Sequence, residues 1–234
     1  MRAQIWLPWV LASSLLCTGC ESPRTGEETD APSRAVPVAT PLPPDTSGRA
    51  HRPLPPALPL DTEVAAAWTR LQTALRRHDA AQLNQLIDPA LGLWVVADGD
   101  TGLVITRVTA GTALRKASAR APLLRLEQQF QTCPALLAVA QFPEIDCGDY
   151  GHGRSGFARD GCFAGPAADF QAVDVWSRAR LAGGTAAQGR AAQARVGRTV
   201  LHTRSGWRFH FAQAPGAGGR WYLVFVDLRA PCIS

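Results

Sequence analysis

Two stretches of this sequence gather the side chains best suited to chemistry. The first, CGDYGHGRSGFARDGC from Cys147 to Cys162, sets Asp149 and Tyr150 beside His152. A carboxylate next to an imidazole can hold a metal ion or relay a proton. The same stretch carries five glycines between its end cysteines. That composition fits better with a surface loop stapled by disulfides, its polar groups in water. The second stretch is the C-terminal hairpin pattern, where His202 and Arg204 share a strand face with Trp207 and Phe209. These four can line a concave pocket, although a lone histidine beside aromatics is more often a satisfied core residue. His210 alternates to the face opposite His202, so the two histidines cannot share a metal.

Known catalytic signatures do not extend this short inventory. Ser155 and Ser205 lack the G-x-S-x-G elbow. There is no Walker A loop, no G-x-G-x-x-G and no H-E-x-x-H. Asp98-Gly99-Asp100-Thr101-Gly102 lacks the third ligand and the bidentate glutamate of a calcium loop, and reads as a hairpin turn. The sequence therefore assigns no catalytic residue, no metal and no cofactor. The net charge of +5 and pI near 9.2 invite a nucleic-acid reading. Yet the basic residues are scattered rather than gathered into a stripe with aromatics between them, which excludes nucleic acid as the expected partner.

Six cysteines are present. Cys17 and Cys20 belong to the N-terminal segment. Cys133, Cys147, Cys162 and Cys232 remain, an even number that in an exported chain reads as two disulfides with three possible connectivities. No two of them have the short spacing of a structural zinc knuckle.

The N-terminus reads as an address and an anchor. Met1-Arg2 is followed by the apolar IWLPWVLASSLL and then by small residues before Cys20, the layout of a secretory signal. LLCTGC resembles the lipobox of bacterial lipoproteins, with Cys17 where leucine is usual. The resemblance implies cleavage before Cys20, a diacylglycerol on its thiol and an acylated (palmitate-type) amine. Two or three acyl chains make a stable anchor. From Glu21 to Leu60 the chain holds ten of its 18 prolines. Such a segment packs no element and reads as a tether, roughly 35 Å long as a coil and about 120 Å as polyproline II.

The elements that must position the chemistry follow from Asp61 onward. Asp61-Thr62 can cap a helix whose inner face is Val64, Trp68, Leu71 and Leu75. His78-Asp79 breaks and recaps a shorter helix with Leu83, Leu86 and Ile87 inside, ended by Pro89. Leu91–Ala97 and Leu103–Val108 read as strands across the DGDTG turn. Thr112–Arg120 reads as a helix, Leu124–Phe130 as a strand, Asp169–Leu181 as a helix and Gly183–Gly197 as a loop or frayed helix. Arg198–Arg204 and Trp207–Gln213 form a hairpin about Ser205-Gly206, setting His202 opposite Phe209. Arg220–Leu228 is nearly all apolar and reads as a central strand.

This order predicts an α+β fold, with N-terminal helices packed on a curved antiparallel sheet that ends in a three-stranded meander and carries a disulfide-stapled insert. The opening helices with RHDAAQLNQLIDP, then LGLWVVA and the closing strands, resemble the ketosteroid-isomerase-like (nuclear-transport-factor-like) superfamily. That resemblance implies a sheet bent into a cone. DPALGLWVV, PEIDCGDYGHGRSGF and GGRWYLVFVDLRAPCIS resemble uncharacterised secreted proteins and lipoproteins of Bacteroidota. Cysteines at the matching places there imply a Cys147–Cys232 pair, leaving Cys133 with Cys162. The expected domains are a signal peptide over 1–19, a lipidated cysteine and tether over 20–60, and one α+β domain over 61–234. The expected function is that of an envelope lipoprotein, held in the bilayer through Cys20 on the outer membrane or cell surface, that binds a small molecule or an envelope protein. The alternative is a small hydrolase or isomerase with its pocket in the sheet concavity, using His202 or the Asp149/His152 pair.

Overall fold

The computed structural model describes residues 59–110, 126, 130–148, 156–213 and 219–232. The signal segment, Cys20, the tether as far as residue 58, the helix expected over Thr112–Arg120, and the loop residues Asp149, Tyr150 and His152 lie outside the described residues.

In chain order the elements are α1 (Thr62–Arg76), α2 (Ala80–Asn84), β1 (Leu93–Gly99), β2 (Gly102–Val108), β3 (Leu136–Ala138), β4 (Cys162–Pro166), α3 (Ala168–Ala172), β5 (Arg180–Ala182), α4 (Ala186–Gln193), β6 (Val196–His202), β7 (Trp207–Gln213) and β8 (Trp221–Asp227). The strands form one sheet, not closed, in the order β3-β4-β6-β7-β8-β1-β2-β5. The α+β class is as expected, and β6-β7-β8 is the antiparallel meander. The sheet is mixed, however. β1 runs parallel to β8, β2 to β5 and β3 to β4. These pairings join segments far apart in the chain, so no local pattern encodes them.

Capping chemistry starts both N-terminal helices where the sequence places them. The Asp61 carboxylate accepts from the backbone N–H of Glu63 and Val64, and Asp79 accepts from Ala81 and Gln82. The α1 stripe of Val64, Trp68, Leu71 and Leu75 is fully buried against one face of the sheet, with Val95, Val200, Phe209, Phe211 and Leu223. After α2, Ile87 adds a single parallel bridge to Leu223. Asp88 then turns the chain into β1 by accepting from Ala90 and Leu91 N–H.

The other face is covered by α3 and α4 over Trp94, Val96, Ile105, Val224 and Phe225. β8 explains its own composition. It lies between β7 and β1 with both faces covered, and a bulge at Val224 lets Val224 and Phe225 point to the same side.

Four local expectations are corrected. Leu126 and Phe130 are joined by an i→i−4 backbone hydrogen bond of 2.9 Å, a helical link rather than a strand. The helix over Asp169–Leu181 stops after Ala172, because Val173 turns extended and Asp174 caps the next turn through Trp176 and Ser177 N–H. Within Gly183–Gly197, α4 is regular and begins with a Thr185/Gln188 capping box. Finally, His202 pairs with Trp207, so the β6–β7 connection is Thr203–Gly206 rather than Ser205-Gly206 alone. Adding two residues to the connection preserves side-chain parity, so Val200, His202, Trp207 and Phe209 still share a face.

Candidate functional site

The two disulfides are Cys133–Cys162 and Cys147–Cys232, with Cα separations of 5.9 and 5.5 Å. The first ties the approach to β3 onto the start of β4, and the second fastens the insert to the C-terminus. Among the described residues, the densest collection of reactive groups surrounds the first. Cys162 and His202 are directly opposite each other on β4 and β6. The two sulfurs and one ring nitrogen of His202 all lie within 4.8 Å of one another. Several contacts hold this arrangement. Gln72 of α1 accepts the Cys133 N–H at 3.0 Å. Thr203, fully buried, accepts from Gly161 N–H through its hydroxyl and gives its own N–H to the Gly161 carbonyl.

His202 is only 1% exposed. Its Nε2 lies 2.8 Å from the Gln131 carbonyl, which can only accept, so that nitrogen carries the proton. Nδ1 then accepts from the Ser205 hydroxyl at 2.7 Å. The ring sits over Phe130 with centroids 5.0 Å apart. Burial pushes the His202 pKa below its usual value; the Gln131 carbonyl opposes this and the Arg204 charge adds to it. Burial thus favours the neutral imidazole, with Nε2 donating and Nδ1 accepting.

The four residues read as a pocket lining separate here. His202, Trp207 and Phe209 are packed core, with Phe209 edge-on to both Trp68 and Phe130. Arg204 is exposed on the connecting turn and donates to the Gln131 side chain. As expected, His210 points to the opposite face.

A separate cavity of about 300 Å³ opens where the first turn of α1 passes over the β3–β4 edge. Its walls are mostly apolar: Pro59, Leu60 and Val64 from the helix side, Ala138–Ala140 and Ala164–Pro166 from the sheet side. Among the described residues, two charged ones line it. The Asp61 carboxylate is taken up as the α1 cap, while Arg198 spends one N–H on its neighbour Gly197 carbonyl. Arg198 thus keeps donors for an incoming acceptor. Sequence reasoning missed this cavity because mostly small, unremarkable residues of four separate segments build it. The proline-to-helix junction at Pro59–Asp61 was the one legible mark of its rim.

No family model, curated protein or solved structure matches this chain. No helix among the described residues is long and apolar enough to cross a membrane.

Proposed function

We propose that this chain is a lipid-anchored protein of the bacterial cell envelope, on the outer membrane or cell surface, whose domain binds a small amphiphilic molecule at the α1/β3–β4 cavity. The cavity carries the proposal. Its volume of about 300 Å³ is at the lower end of ligand pockets, and apolar walls with the Arg198 cation available suit an apolar body ending in an acidic group. The lipobox-like LLCTGC and the proline-rich segment support the anchor. That segment ends in sequence at Pro59-Leu60, two residues that line the cavity.

Intact mass of the protein extracted from its own membrane tests both parts. The expected chain starts at Cys20 with added diacylglycerol, and a discrete mass departs on denaturation. Ala140→Trp, which narrows the exposed rim, and Arg198→Gln should each lower the bound fraction about tenfold, the worth of one charge-assisted hydrogen bond or a comparable apolar contact. An equal bound mass in both variants would overturn the cavity. An unlipidated chain would overturn the anchor. A lipidated chain carrying nothing would favour the reading as an envelope-complex subunit.

A further inference from the structure

We propose that Cys133, Cys162 and His202 form a redox-gated zinc site, closed while the disulfide stands and assembled when it is reduced to two thiols. The ligand set is built by tertiary pairing. Two cysteines separated by 29 residues meet at the β3–β4 edge, and the β4–β6 register brings His202 opposite Cys162. The three donor atoms already lie within 4.8 Å of one another. Zinc–sulfur bonds of about 2.3 Å and zinc–nitrogen bonds of about 2.0 Å need the sulfurs to part and the cluster to tighten only modestly. Two thiolates and an imidazole suit a thiophilic d10 cation and leave a fourth position open.

The surroundings of His202 match what a metal-bound imidazole requires, a partner on whichever ring nitrogen the metal leaves. If Nδ1 takes the metal, Nε2–H stays on the Gln131 carbonyl, the Ser205 hydroxyl turns to the His202 carbonyl 3.4 Å away, and the Ser205 N–H gives up its 3.3 Å contact with Nδ1. If Nε2 takes it, the proton moves to Nδ1 and the Ser205 oxygen accepts it. Cys162 is fully buried and Cys133 half-buried, so a reductant approaches from the Cys133 side.

The opening step needs a dithiol reductant. Its thiolate attacks the Cys133 sulfur and Cys162 leaves as thiolate. The second thiol then resolves the mixed disulfide. Two electrons and two protons pass to the protein, and the dithiol departs as its own disulfide. Zinc next displaces both thiol protons and accepts the imidazole lone pair, releasing two protons per ion.

The test uses the full chain in detergent with Cys147 and Cys232 both changed to serine, so that reduction is confined to the Cys133–Cys162 pair. After anaerobic reduction by a phosphine and its removal, Zn²⁺ is titrated with native mass spectrometry as the readout. Co²⁺ then serves as a probe of thiolate-to-metal charge transfer, and near-UV circular dichroism reports the fold. One ion per folded, reduced chain is expected, and none on the oxidised chain. Cys133→Ser should weaken binding about a hundredfold and His202→Gln at least about tenfold, and cobalt charge transfer should fall by about half in the former, where the Cys162 thiolate remains. Unchanged affinity in His202→Gln overturns the site. So does an absence of binding to the reduced chain, or binding that appears only after the near-UV signal is lost.

Discussion

At the scale of single residues, the most consequential group outside the cysteine cluster is His210. Its ring is fully buried on the α3/α4 face, stacked on Phe170 with centroids 3.6 Å apart. Nδ1 pairs with the Thr199 hydroxyl at 2.9 Å, while Nε2 has no hydrogen-bond partner among the described residues. Burial drives its pKa down to about 3; Asp227 opposes this, and Arg208 and Arg229 reinforce it. The unfolded chain binds the proton near pH 6.5 and the native state does not until about pH 3, so His210 contributes stability above pH 6.5 that is lost as pH falls through that window. Between pH 7 and pH 4.5 the loss should be about 2–3 kcal/mol. His210→Phe keeps the ring stack and removes the titration. Unfolding free energies from urea titrations at the two pH values should therefore differ less in the variant than in the wild type by that amount. Equal differences would mean that His210 is protonated or solvated in the native state.

At the scale of elements, glycine in α4 shows packing overriding propensity. Gly189 is inside a helix, where alanine is favoured by about 1 kcal/mol. A Cβ there would run into the Trp176 ring, which packs edge-on against Trp94 and gives its indole N–H to Gln193 at 2.6 Å. Gln193 in turn donates to the Phe170 and Val173 carbonyls, so α4 holds α3 in place through one amide. Gly189→Ala should thus destabilise the protein by about 1–3 kcal/mol instead of stabilising it, read as a lower urea midpoint with unchanged slope. A raised midpoint would show that Trp176 can move aside.

At the scale of the whole molecule, the sheet is locked by its last strand. β8 lies between β7 and β1, and the Leu86–Ile87 segment also bonds to it at Leu223. A chain ending at Gly219 loses the strand joining the meander to the β1–β2 hairpin, together with Cys232 and its disulfide. Such a chain should show no cooperative unfolding transition and poor amide dispersion by NMR. A cooperative transition would mean that one half of the sheet folds alone. Because the closing pairs join distant segments, folding should be slow for the chain's size, limited by non-local loop closure.

The sequence by itself determined what depends on neighbours a few residues away. Asp61 and Asp79 announce their helices through side-chain capping, the Val64-Trp68-Leu71-Leu75 stripe announces a buried face, and alternation announces the β6–β7 hairpin, since each signal needs only local backbone geometry. The even cysteine count announced two disulfides, and resemblance pointed to their pairing. What only the tertiary structure decided depends on partners distant in sequence. The parallel β1–β8 contact, the burial that turned His202, Trp207 and Phe209 from pocket lining into core, and the cavity between α1 and the β3–β4 edge all belong here. So does the meeting of Cys133, Cys162 and His202. Hydrophobic burial rewards any partner of suitable shape, so an apolar strand states that it will be covered but not by what. Only the packed chain settles which side chains end as neighbours.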